Sequence, residues 1–325
     1  MKVLVTLDIP EVGIELLKAE GCEVTIWKEI PPMSPLKLIT AAKQHDALLC
    51  GSPDKIDSNF LNECSHLYVI SQFAAGYDNI NLSEATKVGI PVGNAPKAMS
   101  KSTGDISFAL MLAVSRKMFF QHKRIISGDW GHFVPKAFLG MELHGKTLGV
   151  FGLGSIGFEM AKRCKGAYDM DILYSNRSNN PKAEDELGAR LVGLDELLAQ
   201  SDVVSVHCSL NDQTRGLFNM ECFKKMKKSS IFINSSRGPV HNEEDLTEAL
   251  TKGIIWGAGL DVTNPEPMDK NNPLLLMENV AVTPHLGSTT AEARNEMSRL
   301  AAQNIISFKR GEKIPNFLNP EVLSN

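Results

Sequence analysis

The sequence of 325 residues contains little that points to a membrane or to nucleic acid. No stretch approaches the ~18 uninterrupted apolar residues that a membrane-spanning helix needs. The net charge of −4, with no long run of one sign, provides no basic surface for nucleic acid. The opening segment MKVLVTLDIP has a short apolar run that ends in an acid and a proline, which predicts a strand rather than a signal peptide. We therefore expect a cytoplasmic protein.

Cysteine is scarce and scattered, and its spacing matches no zinc or iron–sulfur site. The thiols are therefore predicted to be reduced and mostly buried, and no metal site is expected. The six residues concerned are Cys22, Cys50, Cys64, Cys164, Cys208 and Cys222.

An apolar fraction of 43% and a charged fraction of 22% are ordinary for a globular protein. At roughly 150 residues per domain, the length suggests about two domains. Short apolar runs alternate with amphipathic segments, first from KVLVTL to IPVGN and again from TLGVFGL to VAVTPH, as in βαβ units. We predict an α/β fold with two doubly wound parallel sheets. One long helix, residues 102–128, is predicted to join the two series, and another over residues 289–311 follows the second.

The segment TLGVFGLGSIGFEM places Gly152, Gly154 and Gly157 in G-x-G-x-x-G spacing. This spacing is specific only where it follows a strand and opens a helix, and both conditions are predicted here. Such a turn lets backbone N–H groups approach a pyrophosphate at the helix N-terminus. The segment therefore predicts a dinucleotide-binding domain.

The acidic residue expected about 20 residues after such a turn is missing. Ser175 stands in its place, and a hydroxyl does not repel a ribose 2′-phosphate. Arg177 follows, with a guanidinium suited to phosphate oxygens. Asn176 and Ser178 add neutral hydrogen-bonding groups to this predicted cofactor contact. NADP(H) is therefore predicted over NAD(H); the alternative is a solvated loop that accepts either cofactor.

Polar residues follow several predicted strands, at the sheet edge where ligands bind in open α/β folds. Arg237 comes after SIFINSS, Glu266 follows GAGLDV within TNPEP, and His285 ends VAVTPH. Ala75 and Gly76 follow LYVISQF. His207 also ends a strand, but the sequence favours a structural role for it.

The blocks SSRGPVHNEEDLTEAL, GAGLDVTNPEP and VTPHLGS resemble the signatures of the D-isomer-specific 2-hydroxyacid dehydrogenases, in the same order. The resemblance extends from the first strand to the last helix and is closest to the glyoxylate/hydroxypyruvate reductases. It implies that Arg237 holds the substrate carboxylate and polarises the ketone. It also implies that His285 is the general acid and that Glu266 supports the imidazolium.

Further site residues are implied by the same resemblance. Asp261 matches the position near the nicotinamide, and Ala75 and Gly76 match the loop that receives the substrate carboxylate. The pyrophosphate turn is matched by Gly154, Ser155 and Ile156. Less specific matches, in segments that line the cofactor or the active site, are Thr103, Ser209, Thr214, Ser235, Gly287 and Ser288.

The resemblance further implies a discontinuous substrate-binding domain, residues 1–100 and 288–325, around a Rossmann nucleotide domain, residues 101–287. The apolar segment 126–145 resembles an arm that wraps a second subunit, so a homodimer is expected; the alternative is an intramolecular loop. Gly104 departs from the family, which often has alanine there, and is expected to loosen the hinge.

Several functions stay open at this stage. Other 2-hydroxyacid dehydrogenases, of the D-lactate or phosphoglycerate type, are enzymatic alternatives, and the sequence does not fix which 2-keto acid is reduced. A corepressor-like protein that senses a nucleotide is the alternative of another class. The partners expected are a small keto or hydroxy acid and a second subunit, with neither nucleic acid nor membrane.

Overall fold

The computed structural model describes residues 1–324, which form twelve strands and twelve α-helices, β1–β12 and α1–α12 in chain order. The chain divides into two compact units. Unit 1 comprises 1–99 and 289–325, and unit 2 comprises 100–288, one residue beyond each predicted boundary. Across the described residues, no helix combines the length and apolar character needed to cross a membrane.

Unit 1 contains a five-stranded parallel sheet in the order β2-β1-β3-β4-β5, the doubly wound arrangement of flavodoxin-like domains. The inner strands β1 and β3 are mostly apolar because both faces of the sheet are covered, whereas β4 also buries Ser71 and Gln72. The strands are β1 (Lys2–Val5), β2 (Glu23–Ile26), β3 (Ala47–Cys50), β4 (Val69–Gln72) and β5 (Val92–Gly93).

The helices of unit 1 cover both faces of this sheet, and two separate apolar clusters form its core. The last helix packs against the first, and Ser298 accepts a hydrogen bond from the N–H of Gly13 at 3.1 Å. The C-terminal segment is therefore part of this unit. Its helices are α1 (Glu11–Ala19), α2 (Pro35–Ala42), α3 (Ser58–Glu63), α4 (Leu82–Lys87) and α12 (Ala291–Lys309).

Unit 2 contains a seven-stranded parallel sheet in the order β12-β11-β10-β9-β6-β7-β8. The chain reverses direction across the sheet between β6 and β9, which is the switch point of a Rossmann fold. The strands are β6 (Thr147–Phe151), β7 (Asp171–Ser175), β8 (Arg190–Leu191), β9 (Val203–Val206), β10 (Ile231–Asn234), β11 (Gly257–Leu260) and β12 (Val280–Val282). The predicted fold class is confirmed in both units.

Helices flank the sheet of unit 2 on both faces and bury two apolar clusters against it. They are α5 (Ser100–Ser115), α6 (Met118–Ile126), α7 (Ser155–Tyr168), α8 (Pro181–Leu187), α9 (Leu194–Gln200), α10 (Met220–Lys225) and α11 (Glu243–Thr251). Short 3₁₀ turns occupy Gly238–Val240 and Pro273–Leu276 in this unit, and a third occupies Pro320–Ser324 in unit 1.

The prediction of one helix over residues 102–128 is wrong, because the helix breaks at Lys117, which has a left-handed φ of 53°. The carbonyl of Ser115 accepts from the N–H of Met141 at 2.8 Å instead of continuing the helical ladder. The ammonium group of Lys117 pairs with Glu278 at 2.6 Å. Both contacts join residues that are far apart in the sequence, so the local helical pattern could not predict them.

Gly104 lies within an unbroken stretch of α5, and its role is close packing rather than the expected loosening. A Cβ at this position would lie 2.8 Å from the Cβ of Glu159 on α7, which is closer than real side chains approach. The absence of a side chain therefore lets α5 and α7 pack directly against each other.

We predict that Gly104→Ala destabilises the protein by about 1–3 kcal/mol, although alanine is the better helix former. The matched control is Gly166→Ala in α7, where a Cβ would meet nothing within 4 Å. That change should stabilise by about 0.5–1 kcal/mol. Chemical denaturation measures both; stabilisation by Gly104→Ala would contradict the packing argument.

Candidate active site

The glycine-rich turn connects β6 to α7 as predicted. Gly152 has a φ of 91°, and a Cβ there would lie 2.7 Å from the backbone nitrogen of Cys208, so both the conformation and the space require glycine. Gly154 and Ser155 are exposed at the start of α7, and Ile156 is half-buried. A Cβ on Gly157 would lie 2.9 Å from the Gly152 carbonyl. The exposed N-terminus of this 14-residue helix fits a pyrophosphate.

The loop after β7 carries the residues predicted to contact the ribose. Ser175 is half-buried at the strand end, and the side chains of Arg177 and Ser178 are exposed. The amide group of Asn176 binds the backbone of Leu153: its Oδ1 accepts from the N–H at 2.7 Å, and its Nδ2 donates to the carbonyl at 3.3 Å. This loop is therefore attached to the glycine-rich turn.

Arg237, Glu266 and His285 lie in the loops after β10, β11 and β12, three neighbouring strands of the sheet. The Nδ1 atom of His285 lies 2.5 Å from Oε1 of Glu266. Arg237 is half-buried, and its Nη1 donates to the Ser236 carbonyl at 2.8 Å. Its charge lowers the pKa values of both partners of the pair. The structure thus brings together the three residues predicted to be catalytic.

The electrostatics of the pair favour an ionised carboxylate and a protonated imidazole. The hydrogen bond to Glu266 raises the pKa of His285, with burial and the charge of Arg237 opposing the rise. Burial acts to raise the pKa of Glu266, but the hydrogen bond and charge of His285 outweigh it and lower that pKa. An ionised carboxylate only accepts hydrogen bonds, so Nδ1 carries a proton. The other ring nitrogen, Nε2, is then available to a substrate.

The pair's contribution to folding stability follows from these directions. For His285 it is fully present below the unfolded pKa and is lost as the pH rises through the raised folded value. For Glu266 it is present above the unfolded pKa and is lost as the pH falls through the lowered folded value. The ion pair is therefore strongest between the two folded pKa values.

The Asp261 side chain accepts hydrogen bonds from the turn that carries His285. The side chain is buried, with 1% of its surface exposed. Its carboxylate accepts from the Thr283 hydroxyl at 2.6 Å and from the N–H groups of Leu286 at 2.7 Å and Gly287 at 2.9 Å. His285 has a left-handed φ of 54°, an uncommon conformation for a residue other than glycine. The carboxylate thus stabilises the turn that directs the imidazole to Glu266.

Thr103, Ser235 and Gly287 are joined by a buried hydroxyl network rather than presented freely. The hydroxyl of Thr103 donates to the Gly287 carbonyl at 3.0 Å. That of Ser107 donates to the Thr103 carbonyl and lies 2.7 Å from the Ser235 hydroxyl. The network fixes the start of α5 against two of the active-site loops.

His207 extends the same network, which agrees with the structural role predicted for it. Its Nε2 lies 2.8 Å from the Ser205 hydroxyl and its Nδ1 lies 3.3 Å from that of Ser235. Because Ser107 donates elsewhere, Ser235 donates to Ser107 and accepts from Nδ1–H of His207. Burial lowers the pKa of His207 to about 4, which keeps it neutral.

The remaining predicted residues of unit 2 lie in loops. Thr214 closes its own loop by donating to the Ser209 carbonyl at 2.8 Å and accepting from the N–H of Asn211 at 2.9 Å. Ser209 is exposed, and Ser288 is half-buried at the end of the unit. Within residues 1–324, no cluster of three or more His, Cys, Asp or Glu has the arrangement to hold a metal ion.

In unit 1, Ala75 and Gly76 follow β4, and side-chain amides hold their carbonyls. Asn94 donates to the carbonyl of Ala75 at 2.7 Å, and Gln72 donates to that of Gly76 at 3.3 Å. Because the C=O and N–H groups of a trans peptide point in opposite directions, the N–H groups of Gly76 and Tyr77 point away from these amides. Such N–H groups suit an anionic substrate group.

Sequence reasoning missed the side chains that hold these loops, namely Gln72, Asn94 and Asn234. Asn234 ends β10 and donates to the carbonyl of Arg237 at 2.9 Å, while its Oδ1 accepts from the N–H of Ser236. A polar residue at the end of a strand or directly after it is the signal that could have indicated them.

Comparisons with known proteins agree with this geometry. A family model described as "D-isomer specific 2-hydroxyacid dehydrogenase, NAD binding domain" matches residues 108–287, more than half of the chain. The chain belongs to the D-isomer-specific 2-hydroxyacid dehydrogenase family. It is therefore an enzyme with a nicotinamide dinucleotide-binding domain, and the predicted family is confirmed.

Relatives within this family include curated glyoxylate reductases. The protein from Thermococcus litoralis is 42% identical over 330 residues, covering 100% of this chain and 98% of the relative. That from Pyrococcus horikoshii is 43% identical over 329 residues, covering 99% and 97%. The resemblance to glyoxylate reductases found in the motifs thus extends over the full length of this dehydrogenase.

Solved structures of the family have the same fold. A protein from Thermus thermophilus matches with a TM-score of 0.90 and 34% identity over 98% of this chain and 100% of that chain. A glyoxylate reductase from Paecilomyes thermophila matches with a TM-score of 0.87 and 33% identity over 99% and 98%. An acyclic imino acid reductase in complex with NADPH and D-Arg matches with a TM-score of 0.87 and 26% identity, covering 98% of this chain and 100% of that chain.

We predict that Asp261→Asn lowers kcat of this dehydrogenase by about 10- to 100-fold, because a misplaced catalytic group has an effect of that size. An amide cannot accept from three donors as the carboxylate does, so the His285 turn should shift. Cofactor affinity should remain unchanged; the control is Asp185→Asn at an exposed carboxylate of α8. Loss of cofactor binding with normal kcat at saturation would favour a direct cofactor contact instead.

Proposed function

We propose that the enzyme reduces glyoxylate or hydroxypyruvate to the D-2-hydroxyacid with NADPH. The observation that carries this proposal is the contact between His285 and Glu266 beside the charge of Arg237. The full-length similarity to curated glyoxylate reductases supports a small 2-keto acid as the substrate.

Each residue of the trio has a distinct role in the proposed reaction. The fixed cation of Arg237 pairs with the substrate carboxylate and polarises the ketone. His285 protonates the carbonyl oxygen from Nε2, since Nδ1 is engaged by Glu266. Glu266 stabilises the imidazolium and fixes the ring orientation. The reduced nicotinamide supplies the hydride when the cofactor is bound.

In this proposal, the cofactor and the substrate carboxylate are assigned to residues of different units. Unit 2 binds the dinucleotide, with the pyrophosphate at Gly154, Ser155 and Ile156. Unit 1 provides the loop at Ala75 and Gly76. Side-chain amides hold the carbonyls of these two residues, so the N–H groups of the same peptides point the other way and are proposed to bind the substrate carboxylate.

The preference for NADPH is proposed from the loop after β7. No carboxylate stands at Ser175, and Arg177 is exposed next to it, so a 2′-phosphate meets a cation rather than an anion. The structurally similar acyclic imino acid reductase is in complex with NADPH, which supports the proposed cofactor.

A homodimer is part of the proposal. Trp130 and Phe133 expose 76% and 91% of their surfaces in the segment between α6 and β6, and Leu139 exposes 65%. Large apolar side chains exposed together mark a protein-binding surface. A particle of 35.6 kDa in solution, the mass of one chain, would contradict the dimer.

The test is a panel of 2-keto acids with NADPH and NADH. Glyoxylate or hydroxypyruvate with NADPH should give the highest kcat/KM. Arg237→Ala and His285→Ala should each lower it by roughly 10²- to 10⁴-fold, with cofactor binding retained. The matched control is His122→Ala, outside the site. Full activity in both trio variants, or tight nucleotide binding without turnover of any keto acid, would sink the proposal.

A further inference from the structure

Two asparagines attach the loop after β7 to the glycine-rich turn. Asn176 contacts both backbone groups of Leu153, at 2.7 Å and 3.3 Å. Asn180 contacts the same residue from the far end of the loop, where its Nδ2 donates to the Leu153 carbonyl at 3.0 Å. Leu153 is itself buried, with 1% of its surface exposed. The loop is therefore held at its first and last residues by one fixed point.

Asn180 is held on its other sides as well. Its Oδ1 accepts from the N–H of Ala183 at 3.2 Å and so caps α8. Its own N–H donates to the hydroxyl of Tyr174 at 2.8 Å, and that hydroxyl donates to Glu184 at 2.5 Å. The amide accepts at the helix cap through Oδ1 and donates to the Leu153 carbonyl through Nδ2, two positions that the single oxygen of a hydroxyl does not occupy together. The identity of this residue thus follows from the contacts.

Arg177 and Ser178 lie between the two anchored asparagines, with exposed side chains. An arginine on a free loop loses conformational freedom when it binds a ligand, which costs ~0.5–1.5 kcal/mol per immobilised side chain. Anchoring the backbone on both sides removes part of that cost before the ligand arrives. The residue that the clamp holds, Leu153, belongs to the turn expected to bind the pyrophosphate.

We propose that Asn176 and Asn180 form a clamp on the Leu153 backbone that positions Arg177 for the 2′-phosphate of the cofactor's adenosine ribose. They are positioning residues that determine cofactor specificity, and Asn176 acts through the backbone rather than by touching the ribose. The inference rests on the proposed preference for NADPH and extends it from Arg177 to the residues behind it.

The clamp is tested by the dissociation constants of NADPH and NADH, measured from nicotinamide fluorescence without substrate. Asn176→Ala and Asn180→Ser should each raise the dissociation constant of NADPH by about three- to tenfold, which is the immobilisation cost expressed as a fold-change. The dissociation constant of NADH should rise less. Serine at 180 keeps the cap on α8, so the fold is preserved. The matched control, Asn179→Ala, changes an exposed residue of the same loop and should leave both constants unchanged.

Three results would overturn the clamp. Equal weakening of both cofactors would mean that the asparagines support only the turn. An effect of Asn176→Ala with none of Asn180→Ser would mean that Asn176 touches the cofactor directly. The third result concerns the double variant. In an Arg177→Ala background, Asn176→Ala should no longer change the ratio of the two dissociation constants. If Asn176→Ala still changes that ratio, the asparagine does not act by positioning Arg177.

Amide hydrogen exchange of the free protein gives a readout that needs no cofactor. The Leu153 N–H should be protected in the wild type and in Asn179→Ala, and should lose that protection in Asn176→Ala. An unprotected Leu153 amide in the wild type would contradict the clamp. The wild-type ratio of NADH to NADPH affinity tests the proposed function, whereas the change in that ratio on mutation tests the clamp, so the two can fail independently.

Discussion

The hydrogen bond between His285 and Glu266 is the interaction on which the site depends. It joins the loops after β11 and β12 and keeps a proton on Nδ1, so Nε2 is the ring nitrogen proposed to act on the substrate. A carboxylate beside an imidazole favours the imidazolium, and the charge of Arg237 limits that effect. The same three charges thus set both the geometry of the site and its protonation state.

The loops that carry this chemistry are held by polar side chains bound to the backbone. Asp261 holds the turn of His285, Asn234 holds the carbonyl of Arg237, and Asn176 holds the glycine-rich turn. Loops at the carboxyl ends of parallel strands have backbone groups that no sheet ladder satisfies. Buried or half-buried amides and carboxylates satisfy them and, in doing so, fix the positions of the neighbouring functional groups.

Much of this could be predicted from the sequence, because strands and the residues that follow them are local features. The alternation of apolar runs indicated both sheets, and Arg237, Glu266 and His285 each stood shortly after a strand. The break at Lys117 could not be predicted, because an ion pair to Glu278 and a hydrogen bond from Met141 end the helix. The close packing at Gly104 likewise depends on Glu159, 55 positions further along the chain.

The most direct test of the account is the pKa of His285, followed by NMR titration of its ring protons in the wild type and in Glu266→Gln. The wild-type value should lie above the ~6.5 of an unperturbed histidine. Removing the carboxylate charge should lower it, because the imidazolium then loses its partner while Arg237 remains. An identical pKa in the two proteins, or a wild-type value below that of the variant, would contradict the central role of this pair.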